Sequence, residues 1–204
     1  MLSSEHQSLT IAPLCLYNNG IHKQIRIELA PIQTLEQFSF VAKQELKAFK
    51  ERCKMGLIPN VKPAEIGLFY PVDEFIILEG FNIDDEFYSD YSLHNGYFEA
   101  KKLVNDGIDE AAIEAYFQAV SWNHQDFKAS EFERLYLGHY GDEYNFAEHL
   151  LDVELDGQLE ESPLFKYLHF EDIYKEYFFF EYPCSNGYFF TIRGNWPYKE
   201  AKAA

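Results

Sequence analysis

Between residues 73 and 176 the chain holds 26 acidic and 6 basic side chains, whereas residues 1–72 hold 6 acids and 8 bases and residues 177–204 hold 2 and 3. An excess of this size repels itself and costs stability, with salt screening part of the cost. The segment is nonetheless no acidic tail. Its carboxylates alternate with core-type residues, as in VELDGQLEESPLFKYLHFED over 153–172, and the whole chain is 47% apolar and 18% aromatic. Such a composition folds with its acids outward over an apolar interior. At 204 residues the length suits one ordinary domain or two to three small ones.

A surface this acidic disfavours nucleic acid, whose phosphates it repels, and favours a basic protein partner. A merely solvated acidic surface is the plainer reading, but solubility alone normally mixes both signs. The longest apolar runs, 177–180 among them, hold four residues and fall far short of the roughly 20 that cross a bilayer, so no membrane association is expected. MLSSEHQSLT, 1–10, lacks the basic-then-apolar order of a secretory leader. Cys15, Cys53 and Cys184 are far apart and in no CxxC pair, which reads as buried thiols of a reducing cytoplasm.

Local patterns outline an α+β chain of small units. LTIAPLCLY, 9–17, reads as a strand, Asn18-Asn19-Gly20 as a turn, and QIRIEL, 24–29, as a second strand by its alternation. Thr34 with Gln37 is a capping-box pair opening a helix, with Phe38, Ala42, Leu46, Phe49 and Cys53 at helical spacing and Gly56 as its stop. Pro59 and Pro63 mark a loop, and FIIL, 75–78, a short strand paired with the first two. Residues 84–90 form an acidic connection. Asn95-Gly96 and Asp106-Gly107 are turn signals on either side of a short helix over 97–104. Asp109 caps a helix in which Ile113, Phe117 and Val120 share a face. Ser130 with Glu133 is another capping box, its helix ended by Gly138, and Asp142 caps a helix with Phe146 and Leu150 inward. Ser162-Pro163 opens one more helix, and 178–192 is a hairpin around Ser185-Asn186-Gly187. The expected division is an N-terminal sheet-and-helix unit over 9–84, a central helical acidic unit over 85–128, and a C-terminal unit of helices plus hairpin over 129–196.

No motif points to catalysis. The histidines form no HExxH, and no GxSxG, P-loop or GxGxxG occurs. Carboxylate pairs able to act as acid and base arise by chance among 34 acids and so carry no information. Asp152, Glu154 and Asp156 alternate like the opening of a calcium loop, but Pro163 stands where its closing glutamate is required. The expectation is therefore no catalytic residue, no metal and no cofactor.

Several stretches resemble the ArdA antirestriction proteins, small cytoplasmic DNA mimics of mobile elements. LYNNGIHKQIRIEL, 16–29, is similar to the family's turn and following strand, and FIILEGF, 75–81, to a strand that ends in an acidic, aromatic turn. LEESPLFKYLHFEDIYKEYF, 159–178, resembles the antirestriction region, with His169 in place of an acid and Lys175-Glu176 where arginine-aspartate is usual. Gly187-Tyr188-Phe189-Phe190 is similar to the C-terminal strand. The resemblance, spread over about 9–196, implies three small α/β units in an elongated, bent chain that dimerises through its C-terminal unit. It implies no catalysis. The partner it implies is a Type I restriction–modification enzyme, whose DNA groove in the methyltransferase core the protein occupies, blocking restriction.

The acids expected to face that partner are Asp84, Asp85, Glu86, Asp90, Glu99, Asp109, Glu110, Glu114 and Asp126, then Glu131, Asp142, Glu143, Asp152, Glu154, Asp156, Glu160, Glu161, Glu171 and Asp172. Duplex DNA carries one charge per about 1.7 Å of axis, so an excess of 20 matches roughly 34 Å, about one helical turn. Pro163, Leu164, Tyr167, Leu168 and Phe170 are candidates for the antirestriction region or a homodimer contact, and sequence does not separate core from interface among them. An acidic adaptor or immunity-type module for another basic protein is the alternative reading.

Overall fold

The computed structural model describes residues 6–61 and 74–192. Pro63 and the last residues of the expected C-terminal unit lie outside them. The fold is α+β, assembled from short helices and three small antiparallel sheets among the described residues.

The first sheet has the order β2-β1-β3, with β1 (Ser8–Pro13) between β2 (Ile25–Glu28) and β3 (Phe75–Phe81). Leu9 pairs with Ile27 and Gly80, and Ile11 with Ile25 and Ile77, so Leu78 is an extra residue that bulges β3. β3 is longer than its apolar run FIIL because Glu79, Gly80 and Phe81 continue the pairing with Thr10, Leu9 and Ser8. β1 is shorter than read. Its pairing ends at Pro13, and Leu14–Tyr17 turns into a single helical turn, α1, closed by the Asn18 N–H on the Leu14 carbonyl at 3.0 Å.

Helix α2 (Leu35–Lys54) follows the sequence reading closely. Thr34 Oγ1 accepts from the Gln37 N–H at 3.1 Å, and the Gln37 side chain reaches back one residue further than expected, to the Gln33 N–H at 2.7 Å. Phe38, Ala42, Leu46, Phe49 and Cys53 are its buried face. Gly56, at φ 68°, ends it, with the Gly56 and Leu57 N–H groups on the Cys53 and Arg52 carbonyls at 3.0 and 2.9 Å.

The acidic connection folds as a 3-10 turn (Asp85–Phe87) leading into a small hairpin of β4 (Tyr88–Ser89) and β5 (Ser92–Leu93). Helix α3 (Asn95–Asn105) begins at the residues read as a turn. Asn95-Gly96 is its first turn because Gly96 lets the helix touch the backbone of His124.

Contacts divide the chain into two compact units, Met1–Asp106 with His124–Phe127, and Gly107–Asn123 with Lys128–Ala204. The expected central unit, 85–128, is shared between these two at Gly107.

In the second unit, Asp109 caps α4 (Glu110–Ala119), as expected. The buried face is Ala112, Ile113, Ala115 and Tyr116, while Phe117 and Val120 are half-buried. Tyr116 takes the inward place because its ring meets Phe132 and Phe190, each at 5.6 Å. Helix α5 (Ala129–Leu135) begins one residue before Ser130, with Lys128 at its N-cap and no capping side chain, so the Ser130–Glu133 pair is no capping box. Gly138 does not end this helix. It lies in β6 (Tyr136–His139) at φ 130°, beside a bulge against β8 (Tyr188–Phe190).

Asp142 caps α6 (Glu143–Glu154), with Phe146 and Leu150 inward. Ser162-Pro163 starts no helix. Ser162 Oγ instead accepts from the Leu164 N–H at 3.3 Å, and the stretch continues through a 3-10 turn, Phe165–Tyr167. The core anchors on either side are Leu159 and Phe170, so the residues between them cross the surface. Helix α7 (Phe170–Ile173) runs on into a π-helical turn, Tyr174–Phe178. The hairpin is shorter than 178–192: β7 (Cys184–Ser185) pairs with β8, and the third sheet has the order β6-β8-β7. Asn186 and Gly187 both have positive φ, 50° and 78°, the two-residue turn that fits the twist of a hairpin. Phe146 and Phe189 stack at 4.0 Å in the middle of this core. Of the cysteines, Cys15 and Cys53 are buried, but Cys184 is only half-buried, beside the Tyr174 hydroxyl at 3.3 Å.

Candidate partner-binding surface

None of the nineteen candidate carboxylates is buried: fifteen are exposed, and Glu99, Glu110, Glu143 and Asp152 are half-buried. Six lie in the first unit and thirteen in the second. The second unit holds 18 acids and 7 bases in all, the first 16 and 10.

In the first unit three consecutive carboxylates are pinned. Asp84 Oδ1 accepts from the Glu86 N–H at 3.0 Å, capping the 3-10 turn. Asp85 Oδ1 accepts from the Tyr88 hydroxyl, which in turn accepts from the Gly80 N–H at 2.8 Å. Burial first, and then this bond to Asp85, pushes the Tyr88 hydroxyl up to about 12, so it remains a donor at neutral pH. Glu86 Oε2 lies 2.6 Å from His124 Nδ1. Carboxylates held this way lose less freedom on meeting a partner.

In the second unit Asp109 accepts twice, from the Ala111 N–H at 3.0 Å and from the Tyr188 hydroxyl at 2.6 Å. The Tyr188 bond, then the Ala111 N–H, hold this carboxyl below its ordinary range. A carboxyl whose folded pKa is depressed stabilises the fold above its unfolded value, near 3.9, and that stabilisation is lost as pH falls through the folded value. Tyr188→Phe is therefore expected to lower stability slightly at pH 7, the difference from the parent fading below about pH 4, read by urea unfolding across pH. Asp142 Oδ1 accepts from the Asn145 N–H at 2.8 Å and Asp152 Oδ1 from the Leu159 N–H at 3.2 Å. Glu114, Asp156, Glu160 and Glu161 are exposed and meet no cation among the described residues.

Few cations neutralise this surface. Arg134 lies 4.0 Å from Glu131 and Lys175 3.7 Å from Glu171, exposed pairs of little energetic weight. Lys166 sits over the Tyr167 ring at 5.0 Å. Lys101 is withdrawn altogether: it is 7% exposed, and its Nζ donates to the carbonyls of Leu29, Ala30 and Ile32 at 2.8, 2.9 and 2.8 Å. Burial pulls its pKa below that of a free lysine. The reading from sequence missed this residue, although it lies one helical turn after Tyr97, on the inward face of α3.

The apolar candidates separate cleanly. Pro163, Leu164 and Tyr167 are exposed and Leu168 is half-buried. Phe170, at 1% exposure, is core, its ring 4.9 Å from Tyr144, and offers no surface to a partner. Sequence reasoning passed over a larger exposed group. Tyr177, Phe179, Phe180 and Ile192 all face outward, with the Phe179 and Phe180 rings 5.3 Å apart and the Ile192 N–H on the Glu181 carbonyl at 3.2 Å. The signal was the run YFFF itself, of which only Phe178 packs against the core.

Among the described residues no group of three or more His, Cys, Asp or Glu side chains is placed to hold a metal ion, and no helix is long and apolar enough to cross a membrane. In comparisons with known proteins, no family model, curated protein or solved structure matches the chain.

Proposed function

We propose that this chain is a cytoplasmic antirestriction protein of the ArdA type. It acts as a DNA mimic that occupies the DNA-binding groove of a Type I restriction–modification enzyme, as a homodimer and without catalysis. The observation that carries the reading is the disposition of the acids: none is buried among the described residues, and Glu114, Asp156, Glu160 and Glu161 are exposed and meet no cation there. A groove built for phosphate already presents lysine and arginine, and a carboxylate accepts charge-assisted bonds from both.

The homodimer contact falls on Tyr177, Phe179, Phe180 and Ile192, exposed apolar residues of the second unit. Residues 177–192 carry one acid, Glu181, and no base. Two copies whose acidic faces repel each other meet at least electrostatic cost there.

The test is plating of phage carrying unmodified DNA on a restricting host, with and without the protein expressed. Restriction is expected to be relieved at least tenfold, and an unchanged plating efficiency would sink the proposal. Single Glu→Gln or Asp→Asn changes at Glu114, Asp156, Glu160 or Glu161 are expected to weaken inhibition only about two- to fivefold each, since an exposed ion pair contributes about 0.2–1 kcal/mol. Total loss from any one of them would point to a catalytic carboxylate instead. Capture of a different basic protein, with no restriction enzyme, would assign the same surface to an adaptor or immunity-type module.

A further inference from the structure

The outward face of α2 is cationic in a chain of net charge −17. Lys43, Lys47, Lys50 and Lys54 follow at intervals of four, three and four residues and so form one stripe, away from the buried face of the helix. It is about 16 Å long at 1.5 Å per residue. Lys43, Lys47 and Lys54 are exposed and Lys50 is half-buried. Two acids lie within its span, half-buried Glu45 and exposed Glu51. Glu51 bonds Lys54 Nζ at 2.8 Å, and its carboxyl is held below the ordinary range by that bond first, and by the fields of Lys54, Lys50 and Lys47. Lys43 and Lys47 form no salt bridge among the described residues. Phe40, 63% exposed, lies one turn before Lys43 at the edge of a shallow, mostly apolar groove shared with Pro31, Ile32 and Val41 and bordered by the polar side chains of Glu36 and Gln37.

We propose that this lysine stripe docks on the acid-rich second unit of another copy of the chain, giving a salt-labile head-to-tail association separate from the apolar homodimer contact. Charge complementarity selects the occupant. The second unit holds 18 acids against 7 bases, while residues 6–61 hold 4 acids and 7 bases. The chemistry beside the charges selects it too. Exposed Glu160 and Glu161 are followed by exposed Leu164 and Tyr167, a mixed acidic and apolar surface that suits lysines bordered by Phe40 and its groove. A phosphate polymer supplies the charge without that apolar neighbour. Stripe and acidic face are different surfaces, so the contact is heterologous, the kind that builds rings or open chains of copies. Because it buries the acids the proposed mimic needs, it holds the protein in a store that a more basic groove drains. The association itself does not depend on what that groove is.

The test is sedimentation velocity of the full chain over a concentration series at 50 mM and 500 mM salt. At low salt the average mass is expected to climb past two copies with rising concentration. At high salt it should stop at the species held by apolar contact, since charges there are screened within several ångströms. Lys43→Glu with Lys47→Glu, two exposed positions that should leave the circular dichroism spectrum unchanged, is expected to raise the concentration of half-association at least tenfold at low salt. Phe180→Asp, on the apolar patch, is expected to leave the salt-labile step intact. Equal masses at the two salt levels, or a double variant that behaves like the parent, overturns the proposal. So does binding to a 30-base-pair duplex or to phosphatidylserine vesicles that the double variant loses while self-association persists, because the stripe is then a phosphate site.

Discussion

Gly96→Ala is expected to destabilise the protein by about 3 kcal/mol and to lower its melting temperature by roughly 6–12 °C. A Cβ at Gly96 would stand 1.8 Å from the His124 carbonyl oxygen and 3.1 Å from Phe127 Cβ. The obstacle is backbone, which cannot rotate aside. Moving the His124–Phe127 segment would strain the 3.3 Å bond from the Gly96 N–H to the Gln125 carbonyl, the 2.6 Å His124–Glu86 pair and the Phe87–His124 ring contact at 5.0 Å. Overpacking costs up to about 3 kcal/mol and the disturbed anchors about 1–2, offset by about 1 from the better helix propensity of alanine. Gly107→Ala is the control. Gly107 has φ 93° but nothing within 4 Å of a Cβ, so only backbone strain of about 1 kcal/mol applies. Thermal and urea melts followed by circular dichroism distinguish the two, and equal losses would refute the steric account.

The second large effect is at Lys101. An ammonium has three N–H donors, and each of the three meets one carbonyl, on Leu29, Ala30 and Ile32. Lys101→Met keeps the stem and the packing but removes the shared donor: the Leu29 carbonyl keeps the Ile32 N–H at 3.0 Å and the exposed Ala30 carbonyl the Gln33 side chain at 3.5 Å, while the buried Ile32 carbonyl loses its donor. With three charge-assisted bonds lost and one buried carbonyl left unsatisfied, against the relief of no longer burying a charge, the net loss is about 2 kcal/mol. Lys101→Arg is expected to fail as a rescue, because a planar guanidinium does not fit three acceptors gathered about one nitrogen. A urea titration in which the Met variant matches the parent would show that the ammonium contributes no net stability.

The sites of these two effects mark where sequence reasoning ran short. Asn95-Gly96 reads as a turn because glycine ordinarily signals backbone freedom, yet here it signals contact with a segment about thirty residues onward. Nothing in the sequence sets Lys101 apart, because lysine seldom lies inside without a partner, and its partners are carbonyls 69 to 72 residues away. Ser130–Glu133 and Ser162-Pro163 have the residue types of helix starts. Local propensity lost to tertiary packing at both, since Phe132 and Leu135 set where α5 lies, and Leu159 and Phe170 tie down the ends of a surface crossing. Tyr116 displaced Phe117 from the core of α4 by the same kind of long-range choice.

What the sequence determined alone is whatever acts within a turn or two of chain. The Thr34 and Asp142 caps, the buried stripe and glycine stop of α2, the Asn186-Gly187 turn and the α+β class all follow from bonds and periodicities that span about four residues. So does the outward placement of the acids, because an unpaired carboxylate is too costly to bury anywhere. Tertiary structure alone decided that Phe170 is core while Leu164 and Tyr167 stand in solvent, that one lysine of the acidic segment turns inward, and that the chain divides at Gly107. Those outcomes depend on which distant residues arrive at the same place, and no local pattern encodes that meeting.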